Sequence, residues 1–162
     1  ERDVRAMMHQ PFAMTAIEQF RGELQPERLL LYVGDNAGEI VFDRLLVEQI
    51  RAAGVEVIYS VKSGPIINDA TMQDAHETGM TDLVDVIETG SADIGVNWQR
   101  AGSDFRSAFE SADAIVAKGH GNFETCNERS ENIYFLLKAK CPMVADELGC
   151  QLGDIVFRQT LE

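Results

Sequence analysis

Four short clusters of polar residues in this chain of 162 residues carry side chains that can do chemistry together. They are Asp35-Asn36, Asn68-Asp69, the run Lys118-Gly119-His120-Gly121-Asn122-Phe123-Glu124, and Lys138. Two carboxylates and an amide are hard oxygen donors, which suit Mg²⁺ or Mn²⁺, with Ni²⁺ or Co²⁺ as further options, better than zinc. Lys118 and Lys138 supply cations for phosphate oxygens, and Gly119 and Gly121 let backbone N–H groups approach an anion. Together these are the needs of phosphate-ester hydrolysis: charge neutralisation on the phosphoryl oxygens and a positioned nucleophile. Each feature also has a plainer reading, because Asp and Asn are favoured helix N-caps and a single lysine is commonly a solvated charge. The chemical reading gains from position, since each cluster follows an apolar run.

Those runs define the elements that must hold the clusters. Arg28 to Val33 reads as a strand buried on both faces, and Gly34 and Gly38 allow the turn into a helix from about Gly38 to Ala53. In that helix Val41/Leu45 and Leu46/Ile50 are apolar neighbours one turn apart, and Gly54 stops it. Val55 to Val61 is a second strand, followed by a helix through His76 that Asn68 or Asp69 can cap and Gly79 closes. Leu83 to Ile87 is a third strand, and Thr89 to Gly102 a long polar loop. A short helix containing Phe105, Ala108 and Phe109 precedes the strand Ala114 to Ala117, with the Lys118 to Glu124 run as its polar loop. Ile133 to Leu137, a small helix from Pro142 to Gly149, and Ile155 to Arg158 complete an α/β pattern with a mainly parallel sheet. At the start, Met7, Met8, Phe12, Ile17 and Phe20 suggest a helical segment over Val4 to Phe20, interrupted near Pro11. The expected organisation is a helical segment over 1–27 and an α/β domain over 28–162.

Composition narrows the partners. With 45% hydrophobic and 25% charged residues the chain has the make-up of one soluble unit with a real core. No run approaches the roughly 18 apolar residues of a membrane helix, and Glu1-Arg2-Asp3 is unlike a signal peptide, so a cytoplasmic location is expected. A formal net charge of −13 opposes nucleic acid and anionic membrane. Cys126, Cys141 and Cys150 form no paired motif and read as reduced, packed thiols.

The residues also carry a family resemblance. Gly34-Asp35-Asn36-Ala37-Gly38-Glu39 with Asp43, Lys62 and Pro65 through Asp69, the Lys118 to Glu124 run, and Leu137-Lys138-Ala139-Lys140 resemble the metal-dependent damage-control phosphatases. This is the ARMT-like family, formerly a domain of unknown function, and the resemblance is to its stand-alone prokaryotic branch. It implies a Rossmann-like three-layer α/β/α core, a divalent metal, and hydrolysis of phosphate monoesters of small metabolites such as sugar phosphates or damaged phosphometabolites. By motif, Asp35, Asn36 and Asp69 are the implied metal ligands and catalytic residues. Lys118, Gly119, His120, Gly121, Asn122, Glu124 and Lys138 are the implied substrate contacts. The family usually carries an additional N-terminal helical region, of which only Glu1 to Gln25 can be a remnant here.

The nucleophile stays open between an activated water and Asp35 itself. A haloacid-dehalogenase-type site carries a second Asp two positions after its nucleophile, and Ala37 stands there, which favours water. Glu39 and Asp43 lie one turn apart and either orient the site or form a solvated helix face. His120 is an acid or a flexible loop residue, Trp98 a pocket wall or part of the core, and His9 and His76 are structural or exposed. Two other readings are a non-catalytic Rossmann-like nucleotide- or anion-binding module, weakened by the lack of a GxGxxG run, and a carboxyl methyltransferase. The expected partner is a small phosphorylated metabolite, and the oligomeric state is not legible.

Overall fold

The computed structural model describes residues 10–160. Its strands are β1 (Phe12–Thr15), β2 (Leu29–Val33), β3 (Glu56–Val61), β4 (Asp85–Glu88), β5 (Ala114–Lys118), β6 (Ile133–Lys138) and β7 (Ile155–Gln159). Its helices are α1 (Ile17–Glu23), α2 (Ile40–Ala52), α3 (Met72–Glu77), α4 (Ser103–Ser111), α5 (Gly119–Cys126) and α6 (Pro142–Leu148). One sheet runs in the order β1-β7-β6-β5-β2-β3-β4. All neighbours pair in parallel except β6 and β7. The central strands are nearly continuous apolar runs because helices cover both faces, and alternate residues enter opposite cores. Leu30, Tyr32, Val57, Tyr59 and Val116 pack with residues of α1, α2 and α3. Leu31, Val33, Ile115, Phe135 and Leu137 pack with α4, α5 and α6. The fold is therefore the expected three-layer α/β/α arrangement. No helix among the described residues is long and apolar enough to cross a membrane.

Several local expectations are corrected. Phe12 to Thr15 is a strand rather than helix: after Pro11 it pairs with β7, Phe12 opposite Ile155 and Thr15 opposite Phe157. The helix begins only at Ile17, and its Phe20 ring packs edge-on against Tyr134 and Phe157 at 5.1 and 5.4 Å, which joins this segment to the main sheet. The expected helical residues Val4, Met7 and Met8, and also His9, lie outside the described residues. The buried face of α2 is Ile40, Asp43, Val47 and Ile50, whereas Val41, Phe42, Leu45 and Leu46 are exposed. Helix α3 is capped by Thr71 and not by Asn68 or Asp69, because Thr71 and Asp74 form a reciprocal capping box with contacts of 2.8 and 2.7 Å. The Lys118 to Glu124 run is not a loop: Gly119, at φ +81°, turns β5 directly into α5.

The long loop after β4 is pinned rather than free. Trp98 Nε1 donates to the Thr125 carbonyl at 2.7 Å and the Val96 N–H to Thr125 Oγ1 at 2.9 Å, both on α5. The Trp98 ring meets Phe109 edge-on at 4.8 Å, with the Arg129 guanidinium 4.4 Å above it, so Trp98 packs, partly buried, against the core. All three cysteines are free thiols, and burial pushes Cys126 up to about 11.

Candidate active site

Strands β2 and β5 are neighbours, yet β2 continues through α2 to β3 on one side while β5 continues through α5 to β6 on the other. Their carboxyl ends therefore open a crevice at the point where strand order reverses, the usual ligand position in such sheets. Gly34 enters it under constraint: its N–H donates to the Ser60 carbonyl at 3.1 Å, and a Cβ there would stand 2.5 Å from Tyr59 Oη. Beyond Gly34 the chain pairs briefly with the loop before α3, the Ala37 N–H donating to Asn68 O at 2.8 Å and the Ala70 N–H to Asp35 O at 2.7 Å. This two-strand bridge sets Asn36 opposite Asp69, so Asp35, Asn36 and Asp69 come together. The loop carries Ile67 at φ +49° with its side chain in solvent, a backbone that a β-branched residue rarely adopts. From the other side Gly119 abuts Asp35 so closely that a Cβ would fall 2.1 Å from Asp35 Oδ2.

Electrostatics mark Asp35 as the centre. Burial first, then the neighbouring charges of Glu39 and Asp69, push its carboxyl up to about 6, against the opposing pull of Lys118 and Lys140. Burial also raises Asp69, partly offset by the Lys62 ammonium 3.7 Å away. Lys62 itself is buried, donates to the Gly95 carbonyl, and is lowered by desolvation despite Asp69 and Asp35. Burial works against ionised Glu39, but its contact with Lys118 outweighs this and holds it below the usual range.

Asn36 links these groups. Its amide donates to Asp35 Oδ2 and to Glu39 Oε1, each at 2.8 Å, so Oδ1 is what it has left to offer. Two carboxylates and an amide brought together in a partly buried crevice are a donor set that fits a hard divalent cation. Among the described residues no three His, Cys, Asp or Glu side chains gather as a metal nest.

The other expected site residues have more varied positions. Lys118 is held between Glu39 Oε2 at 2.5 Å and Asp43 Oδ1 at 2.8 Å, and these partners overcome burial to raise its pKa. It is a counter-ion already engaged. Asn122, 2% exposed, donates to the Gly34 carbonyl at 3.1 Å and the Lys118 carbonyl at 2.7 Å, tying the ends of β2 and β5, while its buried Oδ1 has no protein partner. His120 Nε2 lies 2.8 Å from Lys138 O and 2.9 Å from Lys140 N, so in either tautomer it straps α5 to the end of β6. Gly121 packs against Gly95, while Glu124 is exposed, about 200° around α5 from Asn122 and so off its face. Lys138 is half-buried on the Tyr134 and Leu136 side of β6. The lysine of that segment whose charge acts on Asp35 and Glu39 is the exposed Lys140.

Of the two readings of Asp43, orienting the site or lying on a solvated helix face, the second fails, because Asp43 is 3% exposed. Its signal was present: Ile40, Asp43, Val47 and Ile50 follow a 3-4-3 spacing that places a carboxylate on the core stripe. A surface cavity of about 600 Å³ lined by Arg51, Glu56, Asp82 and Asp85 lies at the amino ends of β3 and β4, away from this crevice.

Residues 1–156 match the model of the damage-control phosphatase ARMT1-like domain. A damage-control phosphatase of Pyrococcus horikoshii is 42% identical over 158 residues, 96% of this chain and 55% of the relative. A damage-control phosphatase of Archaeoglobus fulgidus is 40% identical over 131 residues, 80% of this chain and 46% of the relative. The crystal structure of a DUF89 family protein from P. horikoshii superposes with a TM-score of 0.93 at 41% identity, covering 99% of this chain and 57% of that one. The chain thus spans about half the length of the curated relatives it matches.

Proposed function

The chain belongs to the damage-control phosphatase ARMT1-like family, and from that premise we propose that it hydrolyses phosphate monoesters of small metabolites, sugar phosphates or damaged phosphometabolites, with a divalent cation at Asp35, Asn36 and Asp69. The observation that carries this reading is the convergence of those three side chains at the strand-order reversal, with Asp35 crowded by Glu39 and Asp69.

A bound Mg²⁺ or Mn²⁺ supplies Lewis acidity to a phosphoryl oxygen. The protein does the rest by position and charge. α5 begins at Gly119 beside Asp35, and in this reading its first N–H groups are the donors for phosphoryl oxygens, Gly119 leaving room for the Asp35 carboxylate. Lys140 adds positive charge at the rim. Lys118 keeps Glu39 ionised, and Glu39 with Asp35 holds the Asn36 amide. In this reading a water attacks phosphorus as the ester P–O bond breaks, the water giving up a proton and the leaving alkoxide taking one up to depart as the alcohol, while Asp35, Asn36 and Asp69 would hold the cation.

The test is a panel of phosphomonoesters assayed with Mg²⁺, Mn²⁺, Ni²⁺ and Co²⁺, with chelator as the control. Phosphate release that chelator stops and metal restores, and that Asp35→Ala and Asp69→Ala abolish in folded protein, is expected. Full turnover in metal-free buffer, or in either variant, refutes the assignment.

A further inference from the structure

Asp43 is a carboxylate at a core position. It lies on the core stripe of α2, 3% exposed, and receives three donors. Tyr32 Oη donates to Oδ1 at 2.8 Å, Tyr59 Oη to Oδ2 at 2.9 Å, and Lys118 Nζ to Oδ1 at 2.8 Å. Tyr32 and Tyr59 are register partners whose rings stack at 5.3 Å. The adjacent strands β3, β2 and β5 thus each send one donor to a single carboxylate. A buried carboxylate is tolerated only when so satisfied, and stability alone would be served as well by apolar side chains in place of the whole set, the three donors included.

The contacts continue outward. The second partner of Lys118 is Glu39 Oε2 at 2.5 Å; Glu39 Oε1 accepts the Asn36 amide at 2.8 Å; the same amide nitrogen donates to Asp35. An Asn side chain can present either its NH₂ or its oxygen after a half-turn of the terminal torsion, and only the oxygen can ligate a cation. We infer that Asp43 is a positioning residue for the cation site: it anchors Lys118, Lys118 fixes Glu39, and Glu39 holds the Asn36 amide in the orientation that leaves Oδ1 for the cation. Tyr32 and Tyr59 belong to the same device, since they hold the anchor. This rests on the reading of Asp35, Asn36 and Asp69 as the cation site.

The experiment measures Mn²⁺ affinity of chelator-stripped protein from the EPR signal of free Mn²⁺, with near-ultraviolet circular dichroism to confirm folding. Asp43→Asn keeps the shape and removes the charge; it is expected to weaken Mn²⁺ binding about ten-fold or more, the usual cost of losing a residue that orients a ligand. Tyr59→Phe, which deletes one donor and leaves the carboxylate, should weaken it less, and it carries the test if Asp43→Asn does not fold. The distinguishing readout is the background Asn36→Asp, whose carboxylate has no wrong face. There the cost of Asp43→Asn should shrink to within about two-fold, a coupling that general loosening of the core would not produce. Folded Asp43→Asn or Tyr59→Phe protein that binds Mn²⁺ as the parent does overturns the inference. A parent protein that does not bind Mn²⁺ overturns the cation reading itself.

Discussion

Asp35 is held at an energetic disadvantage that a single substitution should release. Its folded-state pKa of about 6 lies roughly two units above its ordinary 3.8, through burial and then Glu39 and Asp69. A carboxyl raised on folding makes the folded state bind its proton more tightly, so the penalty is full above about pH 6 and fades as pH falls toward 4. Two units correspond to about 3 kcal/mol, and screening by solvent at a partly exposed group reduces this to about 1.5 kcal/mol. Asp35→Asn is isosteric and removes the charge, while its amide oxygen can still accept from Asn36. In chelator at pH 7.5 the variant should therefore melt higher than the parent, by about 3 to 6 °C for a chain of this size. The gain should fall to less than half by pH 4.5. In saturating Mn²⁺ the order should reverse, because only the parent gains binding free energy, about 2.7 kcal/mol at one hundred times Kd. Scanning calorimetry in chelator across this pH range decides the matter. An Asp35→Asn protein that melts at or below the parent at pH 7.5 without metal would show that Asp35 is not under strain.

Other expectations follow from single contacts. Gly119→Ala places a methyl 2.1 Å from Asp35 Oδ2 at a φ of +81°, so Mn²⁺ binding and turnover should both be lost and Tm lowered; a variant with parental Mn²⁺ affinity contradicts the packing. Lys140→Ala should weaken inhibition by inorganic phosphate and lower kcat/KM about ten-fold or more, the worth of one charge-assisted contact, with Mn²⁺ affinity changed far less. Lys138→Ala, measured alongside, should have the smaller effect, and the opposite ranking would return the clamp to Lys138. Thr71→Ala removes the cap of α3 outside the crevice and should cost about 1 kcal/mol in denaturant unfolding while leaving KM as it was.

Much of the architecture was legible because it is written in local terms. Leu29 to Val33 and Ala114 to Ala117 are short apolar runs bounded by turn residues, the pattern of strands buried on both faces, and the polar residues after them reach the sheet's carboxyl edge. The family motif then selected among those residues. Less legible was whatever depended on partners distant in sequence. Phe12 to Thr15 shows a strand only when β7 lies beside it. Asp69 and Thr71 are equally good caps on paper, and the bridge from Asn68 and Ala70 to the Asp35 loop decides between them. Lys118 and Lys138 looked alike as free cations, but two carboxylates, one buried, already hold Lys118. Val41, Phe42, Leu45 and Leu46 satisfied helical periodicity, yet the stripe that enters the core includes Asp43, which an apolar count passes over.

The pairing of β1 with β7 has a consequence for how the molecule is made. Phe12 meets Ile155, and the Ala16 N–H donates to the Phe157 carbonyl, so the first described strand can take its place only after β7 has been synthesised. Strands β2 to β6, which hold the crevice, need nothing from β1 for their own ladder. During translation the crevice can therefore assemble while β1 waits unpaired, and the longest-range contact closes last. A stalled chain in which residue 154 is followed by an unstructured linker long enough to clear the ribosome should carry β2 to β6 amides that resist hydrogen exchange while those of residues 12–15 do not.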